Sequence, residues 1–232
     1  MMRTIPFLAA ALLAGAIPGA RAEVSSTIAL SSDYDFRGMT QSALDPALSA
    51  SLDWTSDSGL YLGAWASNVD FGTESDLEVD ALVGLRGQLG DDTGFDVGAV
   101  YYSYWPDDDD YNYAELYAGL SYKAFAVRAW HAPDYFNSGE KAFYFEANAT
   151  IPLPADFGLT LHAGYNDGDY WKVFYEGSYV DYSIGVTKTI DKFALALKWI
   201  DGTDLESADG TPGSIFSTES KVFFSVATTL PW

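Results

Sequence analysis

The sequence predicts an all-β protein, a closed up-and-down antiparallel transmembrane β-barrel of about twelve strands. Segment after segment alternates large apolar residues with small or charged ones over about nine to eleven residues, a length that crosses hydrocarbon as a tilted strand. The connections between these segments alternate between short and long. The last segment places large residues on one face: Val222, Phe224, Val226, Leu230 and Trp232. These three observations together predict the barrel.

The first 22 residues have the features of a cleaved export signal. Arg3 supplies a positive start, residues 5–17 form a short apolar run, and Ala20-Arg21-Ala22 fits a small-x-small cleavage site. A helix that crosses a bilayer needs about 20 residues, so an uncleaved anchor is only the alternative interpretation. The sequence therefore predicts a signal peptide at 1–22, a barrel at 23–232, and export to the outer membrane of a Gram-negative cell.

Composition excludes several other classes of protein. Without the leader, 10 basic residues remain against 33 acidic residues, a net charge of −23 with histidine neutral, so nucleic acid is not a predicted partner. The chain has no cysteine, which excludes disulfides and thiolate metal sites. A mean hydropathy of −0.02 without a long apolar segment excludes a helical membrane bundle. The 210 residues after the leader suit one all-β domain.

Alternation of period two places the strands. The clearest case is 193–199, where Phe, Leu, Leu and Trp alternate with Ala and Lys. In chain order the predicted strands are 26–37, 47–55, 60–69, 76–88, 95–105, 113–122, 124–132, 141–151, 157–166, 179–190, 192–200 and 220–230. The pattern is blurred in the third and eighth strands, so ten or fourteen strands are the alternatives. A soluble sandwich would show the same alternation.

The connections distinguish a barrel from a sandwich. Short connections at 56–59, 89–94, 122–123, 152–156 and 190–191 interleave with long ones at 38–46, 70–75, 106–112, 133–140, 166–178 and 201–219. Short turns on one rim, predicted to be periplasmic, and long loops on the other are typical of outer-membrane barrels. Aromatic residues near both strand ends predict two interfacial girdles. They are Trp54, Tyr122, Phe157 and Trp232 at the turn ends, and Tyr34, Phe36, Phe71, Trp105, Trp130 and Trp199 at the loop ends.

If the large apolar residues of each strand face lipid, the residues at the alternate positions line the lumen. This assignment predicts nine acidic and six basic lumen-lining residues: Asp33, Asp35, Asp53, Glu78, Asp80, Asp96, Glu115, Glu146 and Asp181, with Arg37, Arg86, Arg128, Lys192, Lys198 and Lys221. Asp33, Asp35 and Arg37 fall on one row of the first predicted strand, so an acid-base cluster near the outer mouth is expected.

The acidic excess predicts a narrow, weakly cation-preferring, porin-like channel for passive diffusion of small solutes or ions, because acidic rings favour cations. Interior charges that satisfy one another would instead seal the barrel, which would then act structurally or through its extracellular loops. An outer-membrane hydrolase is a second alternative. Only His131 and His162 are available as histidine bases, and neither lies in a nucleophile motif. No catalytic residue, cofactor or metal site is therefore predicted.

The densest charge run is Asp107-Asp-Asp-Asp110, and the last loop carries Asp201, Asp204, Glu206 and Asp209. Both are expected to be solvated loops. Divalent cations at these acidic loops would bridge them to lipopolysaccharide, and folding of the first run into the lumen is an alternative. Outer-membrane lipid and lipopolysaccharide are thus the predicted partners, together with the small solutes or ions.

The start of the mature chain resembles a known family. The segment 31–42, SSDYDFRGMTQS, is followed by Pro46-Ala47, Asp53 and Gly59-Leu-Tyr61. It resembles the TorF-type porin family of proteobacteria, and Phe36-Arg37-Gly38 with Gln41-Ser42 is the specific part. The resemblance implies an outer-membrane barrel with a pore. It implies no solute, no catalytic residue, and for Arg37 and Gln41 only membership of the motif.

Overall fold

The computed structural model describes residues 23–106, 110–175, 177–203 and 218–231. Twelve antiparallel strands close into one barrel, which confirms the predicted fold class. The barrel strands are β1 (Glu23–Ser31), β4 (Ala47–Thr55), β5 (Leu60–Asn68), β6 (Leu77–Gln88), β7 (Thr93–Trp105), β8 (Tyr113–Tyr122), β9 (Phe125–Ala132), β10 (Ala142–Leu153), β11 (Phe157–Gly168), β12 (Tyr179–Ile190), β13 (Phe193–Gly202) and β14 (Lys221–Pro231). Two short strands, β2 (Asp35–Phe36) and β3 (Met39–Thr40), lie outside this ring.

Helical structure is confined to the loops of the described chain. It consists of a 3₁₀ turn at Tyr135–Asn137 and one short helix, α1 (Asp169–Phe174). Neither element is long and apolar enough to span a membrane. The scaffold that positions every interior side chain is therefore the sheet.

The first and last strands close the barrel. β1 pairs with β14 from Ser25↔Pro231 to Ser31↔Ser225 and with β4 on its other side. Around the ring each strand pairs with its two neighbours, so the sheet has no free edge. Closure satisfies the backbone donors and acceptors that an open edge would expose.

The connections follow the predicted alternation. Short turns at 56–59, 89–92, 123–124, 154–156 and 191–192 interleave with longer connections. Because neighbouring strands are antiparallel, all short turns lie on one rim and all long loops on the other. We call these the short-turn rim and the long-loop rim.

The two faces of the sheet have opposite chemistry. On β6, Leu77, Val83 and Leu85 are 40–45% exposed, whereas Glu78 and Asp80 on the alternate positions are 1% and 7% exposed. The same phase holds on β12, where Ile184 is exposed and Asp181 is buried, and on the other barrel strands. The large apolar side chains therefore form the outer surface, as the alternation predicts.

Two details differ from the prediction. β1 ends at Ser31 instead of residue 37, because the chain leaves the sheet and turns into the barrel there. Of the predicted girdle residues, Trp105, Tyr122, Phe157 and Trp199 are exposed on the outside, but Phe71 and Trp130 are 5% and 7% exposed and pack inside. Tyr34 and Phe36 likewise pack against the interior aromatic core. Residues 1–22, 107–109, Glu176, 204–217 and Trp232 lie outside the described residues.

Candidate functional site

The connection between β1 and β4 folds into the barrel. Residues 32–46 form this first-loop hairpin, in which β2 pairs with β3. Thr40 and Ser42 donate hydrogen bonds to the Asp33 carboxylate at 2.5 Å and 3.0 Å. Thr40, Gln41 and Ser42 are at most 4% exposed. Asp33 therefore joins the two arms of a buried hairpin.

Arg37 anchors the first-loop hairpin to β8. Its guanidinium donates hydrogen bonds to both carboxylate oxygens of Glu115, at 2.9 Å and 2.5 Å, and both side chains are buried. The rings of Phe36, Tyr144 and Trp130 lie 4.6 Å, 4.4 Å and 5.3 Å from the guanidinium carbon. Burial opposes the charge, but the Glu115 carboxylate outweighs burial and raises the pKa of Arg37. A bidentate pair enclosed by aromatic rings is a strong, directional anchor.

The opposite end of the first-loop hairpin is bound to β14. Lys221 Nζ lies 2.5 Å from an Asp33 carboxylate oxygen and 2.9 Å from one of Asp35. Five strands separate β14 from β8 in either direction around the ring. Lys221 and Glu115 both lie near the long-loop ends of their strands. The first-loop hairpin therefore crosses the interior from one wall to the opposite wall, near the long-loop rim.

Gly38 permits close contact with β12. Its φ is +81°, and a Cβ added there would lie 2.5 Å from the Cβ of Asp181. The Tyr179 hydroxyl donates a hydrogen bond to the main-chain oxygen of Arg37 at 3.0 Å. A larger residue at position 38 would therefore be strained and would push the hairpin away from β12.

A second ion-pair cluster lies closer to the short-turn rim. Arg128 on β9 donates to Asp96 on β7 at 2.7 Å and lies 3.8 Å from Glu146 on β10. The Tyr61 hydroxyl donates to Asp96 at 2.7 Å, and the Trp130 indole donates to Glu146 at 3.0 Å. These contacts connect strands across the inner face, below the level of the first-loop hairpin.

His162 on β11 lies in a polar network between β10 and β12. Its Nδ1 is 2.7 Å from the Asn148 side-chain oxygen, and its Nε2 is 2.7 Å from Asp181. The Asn148 amide donates to Glu146 at 2.8 Å, which turns its oxygen toward the ring. The Tyr144 hydroxyl donates to Asp181 at 3.1 Å. Both ring nitrogens thus face oxygen acceptors, an arrangement that suits an imidazolium with two N–H donors.

Neither histidine is paired with a nucleophile in the described chain. Both nitrogens of His162 are engaged by the network above. His131 Nδ1 lies 3.3 Å from the main-chain oxygen of Ala142, and its ring stacks on Phe143 at 4.5 Å. No Ser or Thr hydroxyl hydrogen-bonds to either ring among the described residues, so the geometry offers no Ser-His arrangement.

Aromatic side chains of the long loops and of neighbouring strand ends form one cluster, against which Tyr34 and Phe36 of the first-loop hairpin pack. Trp171 of α1 is 1% exposed and contacts Tyr135 at 5.7 Å and Tyr179 at 4.9 Å. The cluster contains Phe71, Tyr104, Tyr111, Tyr113, Tyr135, Phe136, Tyr170, Trp171, Tyr175 and Tyr179. It connects four long loops to one another at the long-loop rim.

The fifteen residues predicted to line the lumen are distributed as follows. Nine are buried: Asp33, Arg37, Glu78, Asp80, Asp96, Glu115, Arg128, Glu146 and Asp181. Five are partly buried: Asp35, Asp53, Arg86, Lys198 and Lys221. Lys192 occupies the exposed turn before β13, with its ammonium 5.5 Å from the Phe193 ring. This corrects the placement of Lys192, because β13 begins one residue later than predicted.

The predicted row of Asp33, Asp35 and Arg37 also needs correction. These residues do not share a strand, since the chain leaves the sheet after Ser31. The two acids contact β14 and the arginine contacts β8, so they belong to opposite sides of the interior. Sequence reasoning missed the roles of Tyr144 and Tyr179 in holding the hairpin. The motif around Arg37 and Gly38 was the available signal, but its partners are distant in sequence.

Residues 15–230 match the family described as "Bacterial protein of unknown function (Gcw_chp)". The chain belongs to this family. No curated protein matches the sequence significantly. The resemblance of this Gcw_chp chain to TorF-type porins is a finer assignment and stays a prediction.

Solved porin structures share the fold of the Gcw_chp chain. The KdgM porin gives a TM-score of 0.58 at 6% identity over 90% of this chain and 99% of that chain. The KdgM porin in complex with disordered oligogalacturonate gives 0.57 at 7% identity over 90% and 99%. The NanC porin gives 0.55 at 11% identity over 90% and 98%. At such low identity the likeness establishes the barrel fold alone.

Proposed function

We propose that this protein is an outer-membrane, porin-like channel for the passive diffusion of small solutes or ions. The observation that carries the proposal is the sheet itself, a closed barrel with large apolar side chains outside and charged side chains inside. In water an exposed apolar surface of this extent would be unfavourable, whereas acyl chains would solvate it. The proposed site of action is the polar interior.

We propose further that the pore is narrow. Twelve strands enclose less space than the 16–18 strands of porins with wide aqueous channels. The first-loop hairpin crosses the interior near the long-loop rim and occupies part of that space. It would form the constriction past which a solute must move.

Interior charge supports a weak preference for cations. The predicted lumen set, without the exposed Lys192, contains nine acidic and five basic residues. Acidic pore walls favour cations. The oligogalacturonate named for the KdgM porin is an anionic sugar. The acidic excess of this interior therefore does not favour oligogalacturonate as a solute of this protein.

Planar-bilayer recording of the refolded protein tests this function. In a KCl gradient we expect discrete current steps and a reversal potential displaced toward the K⁺ equilibrium potential, with a few-fold preference for K⁺ over Cl⁻. The variant Asp91→Asn with Asp92→Asn removes two exposed charges from a short turn and should leave the preference unchanged. Absence of conductance, or a preference for Cl⁻, would contradict the proposal.

Histidine titration gives the pore a predicted pH dependence. His162 in its charged form donates to Asn148 and Asp181, and loss of its proton adds one net negative charge to the interior. The titratable groups that face it are Asp181, Glu146, Asp35 and the Tyr144 hydroxyl, which lies 2.9 Å from Nε2. Cation preference should therefore rise between about pH 5 and pH 8, where histidine changes charge. His162→Gln should reduce the change in reversal potential over this range, and an unchanged pH profile would refute the assignment.

A sealed barrel is the second candidate, and a specific observation favours it. The first-loop hairpin reaches both walls through buried ion pairs, and it packs against the aromatic cluster that includes long-loop side chains. In that case the protein would act structurally or through its long loops. The bilayer recording separates the two candidates, because a sealed barrel carries no current.

The expectations for partners accompany this proposal. The signal peptide at 1–22 would direct export, outer-membrane lipid would surround the apolar belt, and lipopolysaccharide would meet the long loops. Divalent cations at the acidic loops stay a prediction, since 107–109 and 204–217 lie outside the described residues. We propose no catalytic activity.

A further inference from the structure

Two inward-facing carboxylates on β6 have no cationic partner. Glu78 and Asp80 occupy successive inner positions and are 1% and 7% exposed. The Tyr34 hydroxyl donates to one oxygen of Glu78 at 3.2 Å. The other oxygen of Glu78, Oε2, and Oδ1 of Asp80 accept no hydrogen bond. Two residues apart on one strand, the two side chains point to the same face of β6.

The cations of the described interior are engaged elsewhere. Arg37 pairs with Glu115, Arg128 with Asp96 and Glu146, and Lys221 with Asp33 and Asp35; His162 pairs with Asp181. Arg86 donates to the Thr55 hydroxyl. Lys198 lies on β13, nearly opposite β6 in the ring, with its ammonium 5.5 Å from the Phe223 ring. No ion pair within the described chain reaches Glu78 or Asp80.

Two adjacent buried carboxylates without a counter-charge are strongly unfavourable. Either a shared proton or a bound cation must offset them. The two unpaired oxygens and the Tyr34 hydroxyl are hard oxygen donors, the kind that Ca²⁺ and Mg²⁺ prefer. The pair carries two negative charges when ionised, which matches a divalent ion. The site lies on β6 where Tyr34 of the first-loop hairpin meets the barrel wall.

We propose that Glu78 and Asp80 bind one hard divalent cation inside the barrel, with the Tyr34 hydroxyl and water completing its coordination. No group of three or more His, Asp or Glu side chains with metal-site geometry occurs among the described residues. Water must therefore supply much of the shell, as is typical of weak, exchanging sites with dissociation constants of about 10⁻⁴ to 10⁻³ M. The inference deepens the proposed function. The cation site itself does not need an open pore, and only a role of the bound cation in conduction rests on the proposed channel.

Calcium titration of the full-length protein tests the site. The protein is refolded in detergent, freed of metal with a chelator, and titrated calorimetrically with CaCl₂ in choline chloride buffer. Beside any Ca²⁺ bound by the acidic loops, we expect one Ca²⁺ binding event that Glu78→Gln with Asp80→Asn abolishes. The matched control Asp91→Asn with Asp92→Asn removes the same charge from an exposed turn and should keep it. Equal Ca²⁺ binding by wild type and the Glu78/Asp80 variant would overturn the proposal.

A single substitution distinguishes loss of the ligand from loss of folding. Asp80→Asn alone removes one ligand charge and should weaken Ca²⁺ binding roughly tenfold or more, because affinity follows the charge count of the ligands. The heat-dependent gel mobility of the barrel reports whether each variant is folded. If folded Asp80→Asn binds Ca²⁺ as tightly as wild type, the Ca²⁺ is bound elsewhere and the proposed site does not exist.

The binding experiment and the conductance experiment fail independently. Calorimetry in detergent needs no open pore, so Ca²⁺ binding without current would leave the site and refute the channel. Current with no Ca²⁺ binding would leave the channel and refute the site. The two inferences are therefore distinguishable.

Discussion

Replacing Arg37 with alanine is expected to release the first-loop hairpin from β8 and to increase the unitary conductance. The change leaves Glu115 as a buried carboxylate without its guanidinium. Removing one partner of a buried ion pair costs about 3–5 kcal/mol. The barrel strands keep their own hydrogen bonds, so the loss should fall on the hairpin. Single-channel recording should show larger current steps, and limited proteolysis should cut faster within residues 32–46.

Two controls accompany this variant. Arg37→Met with Glu115→Leu replaces the ion pair by apolar groups, which is often neutral for stability, and should restore the resistance to protease. Lys123→Ala removes an exposed pair with Asp92 at 3.6 Å, which joins two neighbouring short turns, and should have little effect. If Arg37→Ala matches wild type in conductance and proteolysis, this pair does not hold the hairpin.

Leu197→Arg is expected to destabilise the barrel in lipid. Leu197 is 55% exposed in the middle of β13, between Val186 of β12 and Phe224 of β14. A charged side chain on the lipid face near the midplane of the bilayer costs about 2–4 kcal/mol. Reversible denaturant unfolding in lipid vesicles should show this loss as a lower free energy of unfolding.

The control for this variant is a substitution in the turn between β12 and β13. Asp191→Arg introduces the same side chain at an exposed turn position, where substitutions usually change stability by no more than about 0.5 kcal/mol. A soluble barrel would accept arginine equally well at both positions. Equal stability of the two variants would therefore contradict the proposed lipid-facing surface, and the channel with it.

Local patterns were sufficient to predict the barrel. Alternation along 193–199 and 77–86 assigned the outer and inner faces, and alternating connection lengths indicated two different rims. Side chains on a strand point alternately to opposite faces, so this information is present in each segment. Alternation did not locate the strand ends, because the alternating pattern continues past the point where a strand leaves the sheet. For this reason the first strand was predicted beyond Ser31, and Lys192 was placed in β13 although it precedes that strand.

The arrangement of the interior could not be read in this way. Arg37 meets Glu115 78 positions away, Tyr179 meets the main chain of Arg37 across 142 positions, and Lys221 meets Asp33 across 188. No local periodicity relates such residues. Two of the acids expected on one strand row contact the wall opposite the one that Arg37 contacts. The motif around Arg37 and Gly38 indicated that the segment is special without indicating its partners.

The sequence by itself determined the strand rhythm, the faces of each strand and the acidic character of the chain, because each follows from neighbouring residues and their period of two. Only the tertiary structure decided which charges meet, that residues 32–46 cross the interior, and that Glu78 and Asp80 remain without a cation. Ring closure places β8 opposite β14 and β6 nearly opposite β13. Contacts across a closed ring depend on the whole register of the barrel, which no single segment contains.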